Sequence, residues 1–333
     1  MKNLLKKSVA GISAALLMMG TVACTNTTTP AATTGSGSEK LQVYTSFYGM
    51  YDFTKKIAGD HADVYNLVPP GTEPHDWEPS AKDMANLEKA DLLVYNGAGF
   101  EGWVKSVKTT LSNADITFLE ASKGVALLDA TETGHDHDHD DDDDDALEEF
   151  AESFTASISK NTDPHVWLDP ANVKIEMTNI ADSLKQLDPT NASAYEQNLA
   201  EQITLLDELL DSMEETASTF QKHDIIVAHE AYGYLCHRLG LTQYGIEGLS
   251  GDSDPTPARM AELSKIAQEK GVRYIFFETL VSSKTAEALA KEVGIEARQL
   301  DPFEGPGSEE AAANYDYYSV MNQNMAALKE ALS

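Results

Sequence analysis

The chain has 333 residues, with 55 Asp and Glu against 24 Lys and Arg, a formal charge of −31 at pH 7. That length suits about two ordinary domains with a real core, and such acidity excludes nucleic acid and anionic lipid surfaces as partners while favouring cations. Its two cysteines, Cys24 and Cys236, exclude a disulfide scaffold or a thiolate zinc module, and no apolar run is long enough to read as a spanning helix.

The first 23 residues carry Lys2, Lys6 and Lys7, an apolar stretch from Val9 to Met19, and small residues up to Cys24. A basic start, short apolar middle and small-residue end describe a secretory signal. Thr21-Val22-Ala23-Cys24 resembles a bacterial lipobox, although Thr21 stands where that motif usually has leucine. The resemblance implies lipidation at Cys24 and a membrane-anchored, extracytoplasmic protein. Residues 24–39 are rich in Thr, Ala, Gly and Ser and read as a flexible tether. With Cys24 acylated, Cys236 has no partner in the chain and reads as a small buried apolar residue.

From Leu41 onward, short apolar runs alternate with amphipathic stretches. Strands are expected at Leu41–Ser46, Ala62–Val68, Asp91–Asn96 and Ile116–Leu119, with helices at Met50–Ala58, after Ser80 and around Trp103–Leu111. The second half repeats the pattern, with strands at Asp224–Ala228, Thr242–Ile246, Val272–Phe277 and Ile295–Leu300. A helix is expected over Pro255–Lys270, with Asp254 as cap and Gly271 beyond its end. Another covers Glu309–Leu332. Between the halves lie helical stretches at about 170–187 and 190–221. The class is therefore α/β: two lobes, each a mainly parallel sheet flanked by helices, joined by a long rigid helix. The boundaries are 40–169 for the first lobe, 170–187 for the linking helix and 188–333 for the second lobe. Within the first, residues 131–152 hold His135, His137 and His139 among aspartates, then an acidic run from Asp140 to Asp145. With no apolar face to bury, this segment reads as a disordered acidic loop.

Three histidines stand in unusual settings: His75 in Glu73-Pro74-His75-Asp76-Trp77, His165 in Asp163-Pro164-His165-Val166-Trp167, and His229 at the end of Ile225–Ala228. Pro74 and Pro164 stiffen the approach to two of them. His75, His229 and Glu278 follow expected strands, where open α/β sheets place ligands. Each taken singly is more often a hydrogen-bonded structural residue, a surface residue or half of an ion pair than a ligand, and only the four together, at comparable loop positions, leave the two readings balanced. His61, His223 and His237 have ordinary settings.

Five ordered segments change that balance: GTEPHDWEPS (71–80), DPHVWLDP (163–170), VAHEAYGYL (227–235), GLSGDSDPTPARM (248–260) and YIFFE (274–278). Together they resemble the metal-receptor lipoproteins of bacterial ABC importers for zinc or manganese (cluster A-I solute-binding proteins), most closely the zinc branch. The resemblance implies a non-enzymatic, monomeric receptor that delivers Zn2+ to a permease and its ATPase. It places the ligands at His75, His165, His229 and Glu278, with water replacing the glutamate in some relatives. Manganese-type relatives carry a carboxylate at the third position, where this chain has His229, and three imidazoles with one carboxylate suit tetrahedral zinc. Zinc-type relatives also carry a loop like 131–152, which implies a zinc-collecting role for His135, His137 and His139. Limited hinge motion between the lobes is a further implication, and a role in cell adhesion is compatible with it. The alternatives are a manganese or iron receptor on the same scaffold and a zinc hydrolase. Against the hydrolase stand a coordination shell closed by Glu278 and the lack of an HExxH run.

Overall fold

Strand β1 (Leu41–Thr45) opens a four-stranded sheet completed by β2 (Ala62–Asn66), β3 (Leu92–Tyr95) and β4 (Thr117–Glu120). In this computed structural model, residues 40–129, 162–251 and 255–333 are described. The expected signal, Cys24, the tether and the histidines of the acidic loop lie outside them. The sheet is parallel, in the order β2-β1-β3-β4. A second parallel sheet, β5 (Asp224–Val227), β6 (Thr242–Gly245), β7 (Tyr274–Phe277) and β8 (Glu296–Gln299), has the matching order β6-β5-β7-β8. Both sheets thus change winding direction beside their first strand, the place beyond whose strand ends open parallel sheets form ligand sites. β3 is buried throughout, as a continuous apolar run in a parallel sheet requires. The polar β8 is an edge strand.

Local chemistry explains the helix ends. Helix α1 (Tyr48–Ala58) stops at Gly59, whose φ of 55° is a conformation glycine adopts without strain. Ser80 and Asp83 form a reciprocal capping box for α2 (Ala81–Leu87), and α3 spans Val104–Thr110. Asp169 caps α4 (Pro170–Leu187) by accepting from the Ala171 N–H, and Pro170 occupies the first helical position. A paired contact from Arg238 to Asp169 ties this cap to α6 (Gly233–Leu239). Helix α7 begins at Pro257, two residues later than expected, and Thr256 rather than Asp254 is its cap. Pro257 holds Thr256 extended, so the helix cannot start at Pro255. The C-terminal helix is also divided. A short α9 (Glu309–Ala312) ends before Asp316, whose carboxylate caps α10 (Tyr317–Leu332). Helix α8 spans Lys284–Val293.

The joining region is thicker than one linking helix. α5 (Ala192–Ala217), read from sequence as part of the second lobe, lies along α1 of the first, where Asn198 donates to the Ile57 carbonyl. α10 also reaches back: the Tyr317 N–H donates to Asp52, and Tyr48 donates to the Tyr315 carbonyl beside it. One continuous core therefore runs from Val43 and Phe53 through Trp167, Met177 and Leu206 to Val227, Leu300 and Leu328. Cys236 is buried in it as an apolar residue, as expected.

Glu176 of α4 is an exception inside this core. It is fully buried, and neither carboxyl oxygen has a hydrogen-bond partner among the described residues. Burial, with Glu101 adding repulsion, raises its pKa well above the ordinary carboxylate value. The folded chain therefore holds a proton that the unfolded chain releases. This stabilising contribution is complete below the unfolded pKa and is lost as pH rises through the raised folded value. Thermal midpoints of metal-free protein should show Glu176→Gln gaining on the unsubstituted chain as pH rises from about 5 to about 8; a constant difference would contradict a buried neutral acid.

Candidate metal centre

His75 sits on the loop between β2 and α2, behind Pro74. His165 immediately precedes a short 3-10 turn (Val166–Leu168) that leads into α4. His229 follows β5, and Glu304 lies on the loop after β8. One ligand atom from each of these four residues falls in a common cluster. The Nε2 atoms of His75 and His165 are 3.2 Å apart, and those of His229 and His165 are 3.3 Å apart. Oε1 of Glu304 lies 3.5, 3.4 and 3.5 Å from Nε2 of His75, His165 and His229. An ion with bonds of about 2.0–2.1 Å to four tetrahedral ligands sets edges of about 3.3–3.4 Å. The donors have the spacing of such a shell.

Partners behind the rings fix which nitrogen faces inward. His165 donates from Nδ1 to Oδ1 of Asp163 at 2.8 Å, and its backbone N–H donates to the same oxygen at 2.9 Å. His229 donates from Nδ1 to Oε2 of Glu278 at 2.7 Å, and its backbone N–H reaches Oε1 at 3.1 Å. With Nδ1 carrying the proton, each Nε2 presents its lone pair to the cluster, the tautomer that metal ligation needs. Phe100 packs on His75 with ring centres 4.6 Å apart, and Trp167 on His165 at 5.3 Å.

The charges are correspondingly displaced. Burial disfavours protonated His75 and lowers its pKa, although Glu304 works the other way. Burial has the same sense at His229, but the Glu278 carboxylate overrides it and raises the imidazole well above its ordinary range. Burial alone would raise Glu304; contacts from His165, His229 and His75 instead hold it well below the usual range. Neither of its oxygens makes a well-directed hydrogen bond. A buried, ionised and undirected carboxylate amid three inward ring nitrogens is a donor set suited to a cation.

The fourth member of this cluster is Glu304, not the expected Glu278. Both Glu278 oxygens are engaged by His229, on the side of the ring away from the other imidazoles. Glu278 stands behind His229, where it orients the ring. The sequence does carry a signal for Glu304: Asp301-Pro302-Phe303-Glu304-Gly305-Pro306-Gly307 follows a strand and is stiffened by two prolines. Phe303 has φ 59°, an unfavourable conformation for a side chain with a Cβ. Bracing holds it there. Oδ1 of Asp301 accepts from the Phe303 N–H and from Tyr315, while Asn324 bonds both the N–H and the carbonyl of Asp301. Glu230, the other oxygen near His229, accepts instead from the Gly245 N–H at 3.3 Å.

The family model described as zinc-uptake complex component A, periplasmic (ZnuA), matches residues 43–331. The chain belongs to this family. It is 39% identical over 321 residues to the high-affinity zinc uptake system protein ZnuA of Bacillus subtilis, covering 96% of each chain. It is 37% identical over 290 residues to the zinc-binding protein AdcA of Streptococcus pyogenes, which takes in 87% of this chain and 56% of that one. Among solved structures, the Zn(II)-bound ZnuA-like domain of Streptococcus pneumoniae AdcA superposes with a TM-score of 0.72 at 34% identity, covering 88% of this chain and 99% of that one. The likeness thus spans nearly the whole Bacillus relative and a little over half of the streptococcal one.

The two glutamates should separate experimentally. Glu278→Gln is expected to weaken Zn2+ binding about 10–100-fold while keeping the absorption pattern of a four-ligand Co2+ complex. Glu304→Ala is expected to change that pattern. If Glu278→Gln altered the Co2+ spectrum and Glu304→Ala did not, the roles would be reversed.

Proposed function

We propose that the protein is an extracytoplasmic receptor that captures one Zn2+ ion with His75, His165, His229 and Glu304 and hands it to a membrane permease driven by a cytoplasmic ATPase. The observation that carries this reading is the tetrahedral spacing of three imidazole nitrogens and one carboxylate oxygen, all drawn from separate loops. His75 and His165 come from the first lobe and its exit, His229 and Glu304 from the second, so the ion bridges the lobes. The donors are borderline-soft nitrogen with a single oxygen, which favours zinc over manganese, an ion that prefers more oxygen ligands. Membership of the zinc-uptake family supports the same cargo and a transport partner.

Holding the ion falls to these side chains alone. Asp163 and Glu278 keep two rings in the ligating tautomer and supply negative charge behind them, balancing part of the charge brought by zinc. Because four protein donors close a tetrahedral shell, no coordination position is left to activate water, and the reading is of a binding protein rather than a hydrolase. Residues 1–23 act as the export signal and acylated Cys24 as a lipid anchor, with 25–39 as the tether of a monomeric receptor. His135, His137 and His139 enter the proposal as a weaker collecting segment for the same cation.

Zinc and protons compete for these rings. Since Glu278 raises His229 in the metal-free protein, protonation begins above the ordinary imidazole range, and zinc affinity should fall steadily as pH drops through and below about 7. Competition with a chromophoric chelator at several pH values measures this; an affinity independent of pH would contradict histidine ligation. In the same assay His229→Ala should weaken Zn2+ by more than about 100-fold, beyond the loss of an outer partner. Excess Mn2+ should fail to displace Zn2+ from the unsubstituted protein, and its displacement would favour the manganese reading.

A further inference from the structure

Between β3 and α3 the backbone passes through three successive residues with positive φ: Gly97 at 86°, Ala98 at 51° and Gly99 at 91°. Glycine adopts this region freely, and at Gly97 there is also no room for a side chain, since a Cβ would lie 2.4 Å from Glu120. Ala98 is strained there. The turn delivers Phe100, whose N–H donates to the Gly97 carbonyl at 3.0 Å and whose ring lies 4.6 Å from His75 and 6.1 Å from His165. Phe100 also meets Phe47 and Trp167 at 4.8 and 5.0 Å, so its place is set from three sides.

A single carboxylate fastens this turn. Glu101 accepts from Ser46 Oγ at 2.6 Å, from the Asn96 N–H at 2.7 Å and from the Gly97 N–H at 3.0 Å. It thereby ties the end of β1 to the end of β3, the two strands at which the first sheet changes winding direction. Asn96, held by its backbone to Glu101, donates from its side chain to the Pro164 carbonyl at 3.0 Å, one residue before His165. Burial pushes the Glu101 carboxyl up to about 7, while the hydrogen bonds from Ser46, Gly97 and Asn96 pull it back. It contributes no atom to the four-donor cluster.

We propose that Glu101 is a positioning residue for the metal centre: it clamps the strained turn Gly97–Gly99, and through Phe100 and Asn96 it fixes His75 and the His165 loop at ligating distance. This inference rests on the zinc-receptor reading of that site. The effect on the ion passes through ring placement, so it differs from a general contribution to folding.

The test uses the full chain with Zn2+ and Co2+ as probes, comparing Glu101→Gln, Ala98→Gly, the double variant and Ser46→Ala. Glu101→Gln replaces one accepting oxygen by a donor, and it is expected to weaken Zn2+ about tenfold and shift the Co2+ absorption bands. Ala98→Gly alone should change little, and in the Glu101→Gln background it should recover part of the affinity, because glycine needs no clamp in a left-handed turn. Should Glu101→Gln fail to fold, Ser46→Ala, which removes one of the three donors, is read in the same way with a loss of about threefold and the same recovery by Ala98→Gly. Zinc affinity within about twofold of the unsubstituted protein and an unchanged Co2+ spectrum would overturn the proposal, as would a loss that Ala98→Gly leaves untouched. If the unsubstituted protein itself failed to bind Zn2+, the receptor reading would fall instead.

Discussion

Three imidazole nitrogens and one ionised carboxylate oxygen share a buried space with separations of 3.2–3.5 Å. In an apolar interior, polar atoms crowded at that range without well-directed partners are costly, and a carboxylate removed from water most of all. A divalent cation turns the same arrangement from unfavourable to favourable, so the geometry is best understood as a shell whose energy depends on its cargo. Much of the surrounding structure can be read as support for holding that shell together.

The support is built from loops at the carboxyl ends of parallel strands. Because both sheets have the same strand order, each lobe places loops at corresponding strand ends, and His75, His229 and Glu304 come from such loops. The chain then adds carboxylates as braces. Asp163 and Glu278 hold two ring orientations, Asp301 holds the backbone that aims Glu304, and Glu101 holds the turn behind Phe100. A strongly acidic composition thus has a local meaning: several of its carboxylates accept hydrogen bonds at fixed positions around a cation site.

Much of the fold could be read from residue patterns. Alternation of apolar runs with amphipathic stretches located all eight strands to within a residue or two, and a central strand such as β3 reads as a short apolar block because it is buried on both faces. The three histidines were legible because proline or a strand end marked each one. Glu304 was not, because Glu278 offered the same local signal and only the path of the chain places one carboxylate on Nδ1 of His229 and the other on the inward side. The start of α7 was misplaced because two nearby prolines compete and the second excludes the first. The position of α5 against α1 depends on tertiary packing that periodicity does not encode, since an amphipathic helix states that it has a buried face without stating what covers it.

An isolated antiparallel bridge joins Asp129 to Thr162, and beside it the Asp163 N–H donates to the Leu128 carbonyl. Tyr234 secures the same junction, accepting from the Leu128 N–H and donating to the Asp163 carbonyl. The two ends of the inserted stretch are therefore stapled together at the body of the protein, immediately ahead of His165. Joining ends already held side by side costs only about 0.6 kcal/mol more for each doubling of the excursion between them. The length and composition of that insert can therefore vary without disturbing the placement of His165 a few residues away.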